Sequence, residues 1–218
     1  LVNADKGRHI VTSNIEHKSV IRSLRWLKAM DFRVTSVPVD AHGRVDPAHV
    51  ARALREDTVL VTVMHGNNEI GTVQPVEEIA GIARDRGVLF HTDAVDSVGV
   101  LPVDVQALGA DAVSFASNPF YGPTGVGGLF VRKGVKIQPL LDGGVQEHNK
   151  RAGTENLVGI IGMGVAAELA RRDMEARLAH LRGLREKLLQ ELPAHIDEYL
   201  INGHPEAFLP NLVSISLK

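Results

Sequence analysis

Short β-branched runs alternate with segments of helical period along most of the chain, and no other feature restricts the fold as much. The runs are "HIVTS" (9–13), "FRVTSVPV" (32–39), "TVLVTVMH" (58–65), "VLFHTD" (88–93), "DAVSF" (111–115) and "VGGLFVR" (126–132). Between them, Val20, Ile21, Leu24 and Leu27 recur at helical spacing, and Ser13-x-x-Glu16 ahead of them predicts a capping box. The segment 46–57 offers Asp46 as a cap and Pro47 in a first turn, and 75–87 reads as a helix closed by Gly87. Strands alternating with helices imply right-handed crossovers and a mostly parallel α/β sheet. Continuous apolar runs such as "VLVTV" fit strands covered on both faces.

From about Leu157 the pattern changes. Met174, Leu178, Leu181, Leu188 and Leu192 lie on one stripe of a long helix with Arg, Glu and Lys opposite, followed by the strands "EYLIN" and "NLVSISL". The expected organisation is therefore a large α/β domain over 1–172, then a connecting helix and the beginning of a small α+β domain over 173–218. The first residue is Leu1, and the last run reads as a strand cut as it finishes, so both ends are expected to continue in a longer protein.

Composition excludes several classes of function. The net charge of -2 carries no basic face for nucleic acid and no acidic arm. With no cysteine, the chain has no disulfide framework, no thiolate metal site and no sulfur nucleophile of its own. The ten histidines lack ligand spacing, so no metal is expected. No apolar run approaches the length of a membrane span, and a cytoplasmic protein is expected.

In doubly wound sheets, ligands sit beyond the carboxyl ends of the strands. Four segments fall there: "NIEHKS" (14–19), "MHGNNEIGT" (64–72), "HTDAVDSVG" (91–99) and the loop 116–125. Taken singly, each has an ordinary reading. His17 caps a helix or faces solvent, Asn67 and Asn68 with Gly71 form a turn, and Asp93 caps the helix after its strand. The stretch "GGVQEHNKRAGTEN" (143–156) alone says loop.

Taken in order, strand–His17, strand–"NNEIG", strand–"HTDA", strand–loop–"YGPTGVGGLFVR" and "GGVQE…RAGTEN" resemble the NifS/IscS cysteine desulfurases. These are class V aminotransferase-like enzymes of the pyridoxal phosphate fold type I. The resemblance runs along nearly the whole chain. It implies a mixed, mostly parallel seven-stranded large-domain sheet, pyridoxal 5′-phosphate as cofactor and L-cysteine as substrate. It also implies a sulfur-acceptor or iron–sulfur scaffold protein as partner. By this resemblance His17 stacks on the pyridine ring and helps move protons. Asn68 lies near the phenolic oxygen. Asp93 pairs with the pyridinium nitrogen, keeping it protonated so that the ring accepts electrons. Thr154 reaches the phosphate of a neighbouring subunit, which implies a homodimer.

Three departures qualify that picture. The family writes Ser-x-His-Lys before "YGP", the lysine forming the internal aldimine, whereas this chain has Ala116, Ser117, Asn118 and Pro119. Proline has no amine to condense with an aldehyde, and Ser117 or Asn118 is left to stand in for the serine at the phosphate. Asp96 replaces a glutamine that donates to the phenolic oxygen, and an ionised Asp96 has no proton to give. Finally, the family's phosphate-gripping glycine-threonine loop lies ahead of Leu1, and its persulfide cysteine and substrate-carboxylate arginine lie past Lys218. The expectation is a desulfurase-like protein of sulfur transfer and iron–sulfur assembly that this chain alone does not turn over. The alternatives are a non-catalytic dimeric scaffold of the same family and a selenocysteine lyase-like enzyme.

Overall fold

The computed structural model describes residues 2–217. Six strands, β1 (His9–Ser13), β2 (Arg33–Val37), β3 (Thr58–Thr62), β4 (Leu89–Asp93), β5 (Ala112–Ala116) and β6 (Gly127–Val131), form one sheet in the order β2-β1-β3-β4-β5-β6. All neighbours are parallel except β5 and β6, which pair antiparallel with Ala116 opposite Gly127. Each expected run forms its strand, so six strands of the seven-stranded type are present among the described residues. The sheet is α/β and mostly parallel because each parallel step needs a crossover long enough for a helix.

Helices α1 (Lys18–Lys28), α2 (Pro47–Ala53) and α3 (Val76–Asp85) provide three of the four crossovers, and the β4–β5 connection, 94–111, carries no helix. Asp46 caps α2 by accepting from the Ala48 amide at 2.8 Å, with Pro47 in the first turn. The helix stops at Ala53, short of the expected 57, because Leu54 turns to extended backbone. Gly87, at a φ of 64°, closes the turn after α3. On the α2–α3 side of the sheet, Val11, Val61, Val63, Phe90 and Val113 pack against Val50, Val76, Ile79 and Ala83, all buried. Each such side chain contributes about 1.5–3 kcal/mol of hydrophobic stabilisation. The opposite face is covered at one edge by α1, through Leu24 against Ile10 and Phe32.

Past β6 the chain makes a single turn, α4 (Gln146–Asn149), in which Glu147, His148 and Asn149 all take positive φ. Two long helices follow, α5 (Leu157–Arg172) and α6 (Met174–Glu191), separated at Asp173. The expected single apolar stripe on α6 needs correction. Leu188 is exposed, whereas Arg185 takes the buried place on that face. Arg185 lies 4.1 Å over the Phe208 ring and donates to the Leu212 carbonyl at 3.1 Å, so its charge is partnered. Strands β7 (Tyr199–Asn202) and β8 (Ser214–Leu217) form an antiparallel pair. The segment between them packs back on the large sheet's 66–73 loop, with a Thr72–Phe208 bridge and the Leu209 amide on the Gly71 carbonyl at 2.7 Å.

Candidate functional site

Strands β1, β3, β4 and β5 are consecutive in the sheet and, being parallel, end on the same side. The four polar segments that follow them therefore meet along one sheet edge. His17 ends the β1 turn and serves as the N-cap of α1: its Nδ1 accepts from the Ser19 amide at 3.2 Å and lies 2.8 Å from the Ser19 hydroxyl. The ring is exposed.

Glu16 corrects the expected capping box. It is 5% exposed and faces inward, and the helix cap passes to His17. Its Oε1 accepts from the Ser13 hydroxyl at 2.5 Å and from the Met64 amide at 2.9 Å, which ties the β1 turn to the β3 turn. Its Oε2 is buried without a partner among the described residues. Burial raises the Glu16 carboxyl to about 7, with the nearby Asp93 charge adding to the rise and the Ser13 and Met64 hydrogen bonds opposing it. At the next residue, burial pushes the His65 imidazole down to about 4.

Asn67 organises the β3 turn. Its Nδ2 donates to the Ile15 carbonyl at 3.0 Å, and its Oδ1 accepts from the Glu69 and Ile70 amides at 2.9 Å. Asn68, the residue singled out by resemblance, is half-buried beside it. Asp93 closes β4, is 7% exposed, and accepts from the Val95 amide at 3.1 Å, the cap-like bond its position suggests. Asp96 is half-buried on the next turn. Burial raises its carboxyl above the usual range, the Asp93 charge adds to that, and His17 counteracts it. The Asp93 charge therefore reaches both Glu16 and Asp96, and His17 acts on Asp96.

The loop after β5 starts with a 3-10 turn, Asn118–Phe120, followed by Tyr121 at a φ of 67°. Pro119 fits because this turn is held by the Phe120, Tyr121 and Gly122 amides, and no acceptor waits for an N–H at 119. Ser117 is fully buried with no partner for its hydroxyl; a Cβ at Gly122 would lie 1.9 Å from that oxygen. The hydroxyl thus points into the turn, while Asn118 is exposed. Phe120 packs with Val98, Met163, Ala166 and Ala170, which joins the Asp96 turn, the Pro119 turn and α5. Arg177 of α6 donates to the Gly99 carbonyl and lies 6.0 Å from the Tyr121 ring centre. Thr154 is exposed ahead of α5. Among the described residues no group of three His, Asp or Glu side chains is arranged to hold a metal, and no helix is long and apolar enough to cross a membrane.

The fold and the position of the site define an α/β protein of the pyridoxal phosphate fold type I. The family model of the class-V aminotransferases matches residues 1–218, and the chain belongs to that family. It is 48% identical over 211 residues to cysteine desulfurase IscS of Dictyoglomus turgidum, covering 97% of this chain and 54% of that protein. It is 47% identical over 216 residues to IscS of Methanosarcina thermophila, covering 99% of this chain and 53% of that one. Among solved structures, a NifS-like protein superposes with a TM-score of 0.94 at 38% identity, over 99% of this chain and 59% of its own. DndA from Streptomyces lividans superposes with a TM-score of 0.90 at 32% identity, over 97% and 60%. The chain spans about half the length of the curated relatives it matches.

These families use pyridoxal phosphate, and the donor set fits that group only in part. A buried carboxylate at the end of β4 suits a protonated ring nitrogen. The 3-10 turn after β5 offers no amine, because position 119 is proline. A buried carboxylate stands at the end of β4, and position 119 carries no amine.

Proposed function

We propose that this chain is a cysteine desulfurase-like protein of sulfur transfer and iron–sulfur cluster assembly, cytoplasmic, with impaired pyridoxal phosphate chemistry. The observation that carries the impairment is Pro119. Its turn keeps a regular 3-10 geometry and the left-handed Tyr121 while supplying no nitrogen able to attack an aldehyde. When bound, the cofactor supplies an electron sink for bond breaking at a substrate's alpha carbon. In this reading His17, Asn68, Asp93, Asp96, Asn118 and a partner copy's Thr154 would surround it; Ser117 would not, because its buried hydroxyl points into the Gly122 turn. His17 would face the ring and exchange protons through Nε2, since Nδ1 is engaged with Ser19. Asp93 would hold the proton on the ring nitrogen. The chain contains no cysteine, so it carries no persulfide on its own residues.

A second reading, a non-catalytic dimeric scaffold of the same family, is favoured by the joint presence of Pro119 and Asp96. It is also supported by the outward face of α5, where Leu157, Val158, Ile161 and Val165 are each more than half exposed. A second copy on that face would bring Thr154, just ahead of α5, into the interface.

The deciding experiment is borohydride reduction after incubation with pyridoxal phosphate, read by intact and peptide mass. The expected result is no site-specific adduct on the natural chain and one adduct at position 119 in the Pro119→Lys, Asn118→His double variant. A specific adduct on a lysine of the natural chain would return the protein to the working enzymes.

A further inference from the structure

We propose that Asn202–Gly203 is a site of spontaneous deamidation, restrained by two serines of β8, and that its conversion releases the 203–209 segment from the 70–73 loop.

Asn202 is the only asparagine of the chain followed by glycine. In such a pair the glycine nitrogen reaches the asparagine side-chain carbonyl carbon with no Cβ in its path. A bond forms from that nitrogen to Cγ, the Cγ–Nδ2 bond breaks, and ammonia leaves behind a cyclic imide. Water then opens the ring at either carbonyl, giving aspartate or isoaspartate. No oxidant or reductant is consumed.

The geometry supplies the nucleophile. Asn202 ends β7, and Gly203 lies outside the strand at a φ of 89°. The Gly203 amide has no hydrogen-bond partner among the described residues, so the attack breaks no backbone bond. Asn202 is half-buried, so water reaches it. The same geometry supplies a brake. Nδ2 of Asn202 donates to the Ser214 and Ser216 hydroxyls at 3.1 and 2.9 Å, and the Ser216 hydroxyl donates to Oδ1 at 3.4 Å. The amide nitrogen must give up both of its bonds as it leaves. What permits this is the size of the sheet: β7 and β8 are a pair of four-residue strands, which opens at little cost.

The contacts just past Gly203 give the reaction a structural consequence. A Cβ at Gly203 would lie 2.2 Å from the Ile70 carbonyl oxygen, so two backbones meet there without slack. The His204 amide donates to the Thr72 hydroxyl at 3.1 Å, the Val73 amide to the Ala207 carbonyl at 2.8 Å and the Leu209 amide to the Gly71 carbonyl at 2.7 Å. Isoaspartate inserts one further backbone carbon between 202 and 203, and these bonds lose their register. The loop they clasp is the one that carries Asn67 and Asn68.

The test is timed incubation of the chain at mildly alkaline pH, read by peptide mass at 202 and by hydrogen exchange of the aged protein. Peptide mass separates this site from Asp142–Gly143, where isomerisation leaves the mass unchanged. Acid product is expected at 202 in the natural chain and none in Asn202→Gln. The Ser214→Ala, Ser216→Ala variant should form it at least about fivefold faster, the worth of a typical hydrogen bond. Aged natural chain should lose protection at the Val73 and Leu209 amides, while equally aged Asn202→Gln keeps it. Product that forms only when the natural chain is unfolded in urea overturns the site. Equal rates in the serine variant overturn the restraint, and full protection of Val73 and Leu209 in deamidated protein overturns the release. If the double serine variant unfolds, Ser216→Ala alone, which leaves the Ser214 bond in place, decides the rate.

Discussion

Glu16 and His65 flank Met64 and titrate in opposite senses, so one substitution should tilt the pH dependence of stability. Folding raises the Glu16 carboxyl from 4.5 to about 7. The folded state holds that proton more tightly, so the stabilisation is fully present below pH 4.5 and is lost as pH rises to about 7. Across those ~2.5 pH units, at ~1.4 kcal/mol each, it amounts to about 3 kcal/mol. His65 runs the other way. Its imidazole is pushed from 6.5 down to about 4, so its stabilisation is present above 6.5 and is lost as pH falls, again by about 3 kcal/mol. His9 and His91, also lowered by burial, add to the acid side. In the natural chain the Glu16 and histidine slopes oppose each other between pH 4.5 and 6.5. Glu16→Gln keeps an acceptor for Ser13 and the Met64 amide but cannot ionise. Urea unfolding followed by circular dichroism at pH 4.5, 6, 7 and 8 should show the variant gaining about 3 kcal/mol relative to the natural chain between the lowest and highest pH. Any constant cost of the buried amide cancels in that difference. Parallel stability curves for the two proteins would mean that Glu16 titrates as a solvated carboxyl and that the Ser13–Glu16–Met64 tie is not the closed, buried contact described.

Two further outcomes can be measured on the same material. Gly99→Ala places a Cβ against Phe120 at a φ of 77°, and strain plus overpacking should cost ~2–4 kcal/mol, lowering Tm by roughly 5–10 °C; an unchanged Tm would mean the Asp96 and Pro119 turns are not in contact. Ile161→Glu puts a charge on the exposed face of α5, and sedimentation velocity should show it shifting self-associated protein to monomer at equal concentration. Identical profiles for variant and natural chain would remove that face from the proposed dimer.

The sequence by itself determined the strands, the crossover helices and the sheet's parallel character, because period and cap signals act within a few residues. β-Branched runs and the Asp46–Pro47 start of α2 needed no distant partner to be read. The order of His17, "NNEIG", Asp93 and the "YGP" turn was legible for the same reason, as was the absence of an amine at Pro119. Glu16 was not. Locally it completes a capping box with Ser13, and only the Met64 amide, 48 residues away across β1 and β3, makes it a buried carboxyl. Arg185 likewise reads as the polar side of α6 until Phe208 and the Leu212 carbonyl cover it. Nor does spacing place the 94–99 turn against the Pro119 turn, since that contact runs through Val98 and Gly99 onto Phe120. Local pattern fixes which elements form, because backbone hydrogen bonding and amphipathic period are short-range. Which polar group loses its water, and so which carboxyl keeps a proton, depends on segments far apart in the chain that only the packed sheet edge brings together.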